Sequence, residues 1–146
     1  MRIVLQRVSY ASVKVEGKIT GEINQGLLLL VGFAANDTIE QMQTWIDKVL
    51  KLRIFSDDQG KMNLSVQDVQ GGLLVVSQFT LYADTRKGNR PSFIDAAPPA
   101  KAKEMYEQFL MLCAKSGLQT EAGIFGADMK VELVNDGPVT ITLGDY

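Results

Sequence analysis

The chain has no histidine and only one cysteine, Cys113, in 146 residues. Without imidazole there is no Ser-His or Cys-His pair to activate a nucleophile, and the commonest zinc ligand is missing. A single thiol forms no internal disulfide and no cysteine-rich zinc site. Cys113 falls at helical spacing from Phe109 and reads as a small core residue. No apolar run approaches the ~20 residues that a membrane-spanning helix needs. Met1-Arg2-Ile3-Val4-Leu5-Gln6-Arg7 is broken by polar side chains too early for the apolar region of a signal peptide, so a cytoplasmic protein is expected. The net charge of -2 argues against broad nucleic-acid binding, which depends on neutralising many phosphates. A local basic patch that recognises one nucleic-acid end remains open.

What is present describes a single globular domain over residues 1 to 146. Hydrophobic residues make up 46% and charged residues 22%, enough for a core and too apolar for disorder. The chain is organised around Gly71-Gly72-Leu73-Leu74-Val75-Val76-Ser77-Gln78-Phe79-Thr80-Leu81-Tyr82-Ala83-Asp84. A glycine pair followed by four aliphatics predicts a strand buried on both faces. From Ser77 the run turns polar, with Phe79 and Leu81 expected to keep alternating toward the core. Ser77 and Gln78 then stand at the exit of a buried strand. They either face a ligand there or mark where the strand surfaces into a loop.

Residues 2 to 15 alternate as a long strand, with a bulge expected near Ser9-Tyr10 where the phase slips. Glu16-Gly17-Lys18 predicts a tight hairpin turn, and Ile19 to Ile23 the returning strand. Leu27 to Phe33 reads as another strand buried on both faces. Asn36-Asp37-Thr38 supplies an N-cap for a helix from about Ile39 to Leu52, with Met42, Trp45, Ile46, Val49 and Leu50 on its inner stripe. Asp57-Asp58-Gln59-Gly60 is a solvated turn, because it lacks the spaced ligands and distal Glu of a calcium loop. Pro98-Pro99 opens a second helix over about 99 to 116, with Met105, Phe109, Leu112 and Cys113 inward. Short strands are expected over 118 to 121, 129 to 134 and 139 to 143. Strand pairs come first and regular βαβ alternation is absent. This predicts an α+β domain with a curled, mostly antiparallel, barrel-like sheet covered by two helices.

Two loops carry chemistry. Asp84-Thr85-Arg86-Lys87-Gly88-Asn89-Arg90-Pro91-Ser92-Phe93 places three cations within five residues on a Gly- and Pro-marked segment. It is either a solvated loop or a grip on phosphate or RNA backbone. Gly137-Pro138 breaks a strand-like run, and the residues alone leave a trans or a cis bond open. Cis costs only ~0.5–1 kcal/mol at X-Pro, against ~2.5–4 kcal/mol elsewhere.

Ser77-Gln78-Phe79-Thr80-Leu81-Tyr82-Ala83-Asp84 and Asn135-Asp136-Gly137-Pro138-Val139-Thr140 resemble the two signature motifs of the D-aminoacyl-tRNA deacylases. Further matches run the length of the chain, at Gln6-Arg7-Val8, Ala11-Ser12-Val13, Gly26-Leu27-Leu28, Arg53-Ile54-Phe55, Gly60 to Leu64 and Arg90 to Phe93. The resemblance implies a homodimeric hydrolase that cleaves the ester between a D-amino acid and the terminal adenosine of tRNA. It implies a cis Gly137-Pro138 bond, with that dipeptide of one subunit acting as a chiral filter in the other subunit's pocket. Ser77, Gln78, Phe79 and Thr80 then form the facing catalytic wall, Arg7 supports the filter loop, Met129 lines the pocket and Phe125 stacks on the terminal adenine. Backbone N–H groups around Phe79 and Thr80 are the expected oxyanion donors. With no histidine to deprotonate Thr80, the 2′-hydroxyl of the terminal ribose is the expected assistant, and no metal or cofactor is called for. Selection by exclusion tolerates many D side chains and leaves glycine mischarged on tRNA unrejected. Two other readings stay open. One is a non-catalytic dimer binding an RNA end or a metabolite. The other is an esterase or amidase for small D-amino-acid derivatives.

Overall fold

The computed structural model describes residues 1–145 of the chain. Strand β1 (Arg2–Val15) is the axis of the sheet, and both of its edges are used. One edge carries β8 (Lys130–Gly144) from Arg2 to Lys14. The other is divided between β3 (Gly26–Gly32), which pairs with Arg2 to Val8, and β2 (Lys18–Ile23), which pairs with Ala11 to Val15. These pairings are antiparallel, whereas β6 (Gly72–Ser77) joins β3 in parallel and β7 (Thr120–Ala122) joins β6 in parallel. The sheet is therefore mixed, although antiparallel pairs predominate as expected. A small hairpin, β4 (Phe55–Ser56) with β5 (Met62–Leu64), stands apart from it.

Alternation along β3 and β6 feeds two cores. Leu27, Leu29, Val31, Leu73 and Val75 face helices α1 (Ile39–Lys51) and α2 (Pro99–Ala114). Leu28, Leu74 and Val76 face the other way, joining Val8, Ala11, Val13 and Ile23, with Met129, Val131 and Leu133 closing over them. Both faces of these strands are thus buried, and the sheet curls on itself. Each buried Leu, Ile or Val contributes about 1.5–3 kcal/mol relative to exposure.

Local signals act where they were read. The turn Glu16-Gly17 has φ of +50° and +76°, the positive pair a two-residue hairpin requires. Thr38 caps α1 in a reciprocal box, accepting from Gln41 N at 3.2 Å and donating its own N–H to Gln41 Oε1 at 2.9 Å. Met42, Ile46, Val49 and Leu50 are buried on that helix, and Trp45 is partly so. On α2, Tyr106 is buried with Met105, Phe109 and Cys113, while Leu112 lies only partly inside. The segments expected over 129 to 134 and 139 to 143 form one strand, β8, whose ladder is interrupted. Past Ser77 the expected alternation fails. Phe79–Tyr82 coil into a 3-10 turn that leaves Phe79 56% exposed and buries Tyr82 instead. Among the described residues no helix is long and apolar enough to cross a membrane.

Candidate active site

The site begins where β6 ends. Ser77 lies opposite Val31 of β3, and Gln78 donates its N–H to the Val31 carbonyl at 2.8 Å, which fixes the last rung before the chain coils. Gly32 makes that coil possible. A Cβ there would sit 2.8 Å from the Gln78 carbonyl oxygen and 3.3 Å from both Leu81 Cβ and Tyr82 Cδ2. Arg2 holds the far end of the turn, donating from Nη1 to the Leu81 carbonyl at 2.8 Å with its guanidinium 4.5 Å from the centre of the Tyr82 ring. The near end is open. The N–H groups of Phe79 and Thr80, the first two of the turn, meet no acceptor among the described residues. The Thr80 hydroxyl accepts from the Gln78 side-chain amide, a donor rather than a base.

The opposite wall is the loop from Gly123 to Met129. The Val75 carbonyl accepts two bonds that pin its start: the Gly123 N–H at 3.1 Å and the Tyr106 hydroxyl at 2.8 Å. The Tyr106 ring lies 5.9 Å from that of Phe125, and the Met129 sulfur occupies the space beside Gly123 where a Cβ would be only 2.5 Å from it. Between the two walls is a cavity of about 640 Å³, within the range of small-ligand sites. Ser77, Gln78 and Phe79 line one side, and Phe125 and Met129 the other. Its floor is Val31 to Phe33, and Ala96 to Pro99 close its flank. Phe93 also lines it, its ring edge-on to that of Phe79 at 5.0 Å and 67°.

Burial pushes the Tyr106 hydroxyl and the Cys113 thiol each up to about 12. Their ordinary values are 10.0 and 9.0, so the unfolded chain loses these protons first as pH rises. The stability they confer is complete below about pH 9 and drains away toward pH 12. The thermal midpoint should hold near neutrality and fall steadily above about pH 9. A Tyr106→Phe/Cys113→Ala variant should show a shallower fall, measured by circular dichroism at matched ionic strength. An equally steep decline in the variant would refute the assignment.

The remaining predicted residues gather elsewhere. Along β8 the register passes from Gln6↔Thr140 to Val8↔Asn135, so residues 136 to 139 arch out of the ladder. The Gly137-Pro138 bond in this arch is cis. Asn135 staples its feet, accepting the Val139 N–H at 2.7 Å and donating to the Val139 carbonyl and to Thr140 Oγ1, each at 3.2 Å. Arg7, 8% exposed, supports it from beneath, donating from Nε to the Asp136 carbonyl at 2.7 Å and from Nη1 to the Ile54 carbonyl. Gly137 and Pro138 are exposed at the crest and do not line the cavity of their own chain. One chain thus joins Ser77, Gln78, Phe79, Phe125 and Met129 in a pocket, with Thr80 next to it in the turn. Arg7, Gly137 and Pro138 belong to a separate projecting arch.

Gly32, Phe93, Tyr106 and Asn135 were not singled out from the sequence. Phe93 ends a matched block and Asn135 opens the second signature motif, neither with a role assigned to it, and nothing local marks Gly32 or Tyr106. No cluster of three or more His, Cys, Asp or Glu side chains positioned to hold a metal is found among the described residues.

Residues 4–144 match the family described as D-Tyr-tRNA(Tyr) deacylase. Proteins named D-aminoacyl-tRNA deacylase from Clostridium botulinum and Fusobacterium nucleatum are 57% and 55% identical over 143 residues, covering 98% of this chain and 96% and 95% of theirs. One of the same name from Lactobacillus delbrueckii subsp. bulgaricus is 54% identical, with 98% of this chain and 99% of that one covered. Among solved structures, the c-Myc DNA Unwinding Element Binding Protein superposes with a TM-score of 0.93 at 41% identity, covering 100% of this chain and 99% of that one. A probable eukaryotic D-amino acid tRNA deacylase shares the fold, with a TM-score of 0.85 at 16% identity and 97% of each chain covered. Matched over nearly its whole length in both sequence and fold, the chain belongs to the D-Tyr-tRNA(Tyr) deacylase family.

Proposed function

We propose that the chain is a D-aminoacyl-tRNA deacylase, a hydrolase that splits the ester between a D-amino acid and the terminal ribose of tRNA. The observation that carries the chemistry is the pair of unengaged N–H groups, Phe79 and Thr80, opening beside the cavity. An aminoacyl ester is already activated, so its hydrolysis needs a placed water and donors for the developing oxyanion more than a strong nucleophile. A chain without histidine can supply both. Phe125, tilted against the Tyr106 ring, is assigned to stack on the terminal adenine, and Met129, which also lines the cavity, to contact the substrate beside it. The adjacent 2′-hydroxyl assists the water, and no metal enters the reaction.

Chiral selection is assigned to the arch. Its crest is exposed and braced by Arg7 and Asn135, which supports its entry into a second copy's pocket. With the Gly137 and Pro138 carbonyls facing the substrate α-carbon, no space remains for an L side chain, while a D side chain points to solvent. Glycine offers no side chain to exclude, so glycyl-tRNA is a substrate too. The working unit is a homodimer with sites at the subunit boundary, acting in the cytoplasm.

The test is stereochemical. Purified protein should deacylate D-tyrosyl-tRNA while L-tyrosyl-tRNA persists. Binding without turnover would point instead to a non-catalytic module, and turnover of free D-amino-acid esters without tRNA to a small-molecule esterase. Thr80→Ala discriminates within the mechanism. The hydroxyl has no base beside it, so kcat should stay within about tenfold of wild type. Loss of the ~10⁴-fold or more that follows removal of a true nucleophile would reinstate Thr80 in that role.

A further inference from the structure

The loop from Asp84 to Ser92 is rooted at the pocket mouth. Asp84 and Ser92 exchange backbone bonds, 2.8 Å from the Asp84 N–H and 3.0 Å from the Ser92 N–H, so Thr85 to Pro91 project as a closed loop. One foot follows the 3-10 turn that carries Phe79, and the other leads directly into Phe93, which lines the cavity. Three cations ride on this loop, and they are not equivalent. Arg86 folds back onto Asp84, donating from Nε at 2.9 Å and from Nη2 at 2.7 Å, and its charge is spent there. That pairing holds the Asp84 carboxyl well below the usual carboxylate range. Lys87 and Arg90 are exposed and engage no other described residue. The other four arginines are all committed: Arg2 to main-chain carbonyls, Arg7 to the arch, Arg53 to Asn63 and Arg86 to Asp84. Among the described residues Arg90 is the only arginine without a hydrogen bond or ion pair. In a chain of net charge -2, two unspent cations beside the mouth of the site mark where an anion arrives.

We infer that Lys87 and Arg90 bind the phosphodiester backbone of the single-stranded RNA end leading into the pocket, a role that rests on the function proposed above. The terminal nucleoside enters the cavity, and the phosphates before it lie across the loop. Arg86, clamped by Asp84, holds the shape of the loop rather than the ligand. Contacts of this kind set affinity and salt dependence and leave the reacting ester untouched.

The experiment compares Lys87→Glu/Arg90→Glu with wild type on two substrates, D-tyrosyl-tRNA and D-tyrosyl-adenosine, which has no phosphate. On the tRNA, KM should rise about 10- to 100-fold with kcat within about twofold, whereas turnover of the nucleoside ester should not change. Binding of uncharged tRNA should lose about 0.7 in its logarithmic salt slope for each phosphate contact removed. Lys18→Glu/Lys115→Glu, the same charge change outside the loop, should leave that slope as in wild type. Equal losses on both substrates, an unchanged salt slope, or the same slope change in the outside control would each overturn the assignment. A wild-type protein that hydrolyses neither substrate would remove the deacylase reading. The binding slopes would still decide the role of the loop.

Discussion

Gly137→Ala should lower kcat/KM for D-tyrosyl-tRNA by about 10²–10³-fold while the protein stays folded. At φ +145° this position has a backbone conformation that L side chains rarely adopt. A Cβ would lie 2.8 Å from Val139 Cγ2, 3.0 Å from Arg7 Nη2 and 3.1 Å from the Val139 nitrogen. The side chains on both flanks are themselves anchored, Arg7 by two carbonyls and Val139 in the core, so the crest has to move instead. A displacement near 1 Å at a positioning element is enough to cost about 10²-fold. The strain is local, about 1–3 kcal/mol, which a domain of this size survives. The checks are single-turnover kinetics together with circular dichroism. If the alanine variant keeps activity within threefold, the crest has no part in the site.

Arg7→Met should damage stability as well as turnover. Methionine fills much of the stem's volume but leaves the Ile54 and Asp136 carbonyls without their donor. Hydrogen bonds from a charged group contribute about 1.5–3 kcal/mol, and a stranded buried acceptor costs about 1–3 kcal/mol. A total of about 2–4 kcal/mol lowers the melting midpoint by roughly 5–15 °C in a chain this long. Activity should fall about as far as in Gly137→Ala, because both changes free the same arch. For that reason the double variant should be hardly worse than the weaker single one. Arg7→Lys should recover little, since an ammonium on a flexible stem does not reproduce a planar fork that reaches two carbonyls at once. A midpoint within about 2 °C of wild type in Arg7→Met would show that the arch stands without this brace.

Much of the fold was legible because its causes are local. The Thr38–Gln41 box, the α1 stripe from Met42 to Leu50 and the glycine at position 17 each determine structure within a few residues. The continuous aliphatic runs of β3 and β6 announced burial on both faces, though not the parallel pairing between them. That register is set between strands about forty residues apart. Phe79 and Leu81 were misjudged for a similar reason. Their period of two continues the strand on paper, but the chain coils there because Gly32, far off in sequence, leaves room for the turn. The candidate site divides in the same way. Ser77 to Thr80, Gly137 and Pro138 were found because two motifs contain them, and Arg7 because it lies in the matched block Gln6-Arg7-Val8. Tyr106 depends on a partner that only the folded chain brings near, the Val75 carbonyl, whereas Asn135 bonds to Val139 four residues on, inside a motif that does not by itself disclose this role.

β8 pairs with β1 alone among the described strands, so its outer edge is open on both sides of the arch. A flat, uninterrupted border invites runaway stacking of one molecule on the next. Residues 136 to 139 break it near the middle, and Lys130 and Glu132 keep its first half charged. The arch at residues 136 to 139 thus also leaves β8 a poor template for edge-to-edge stacking.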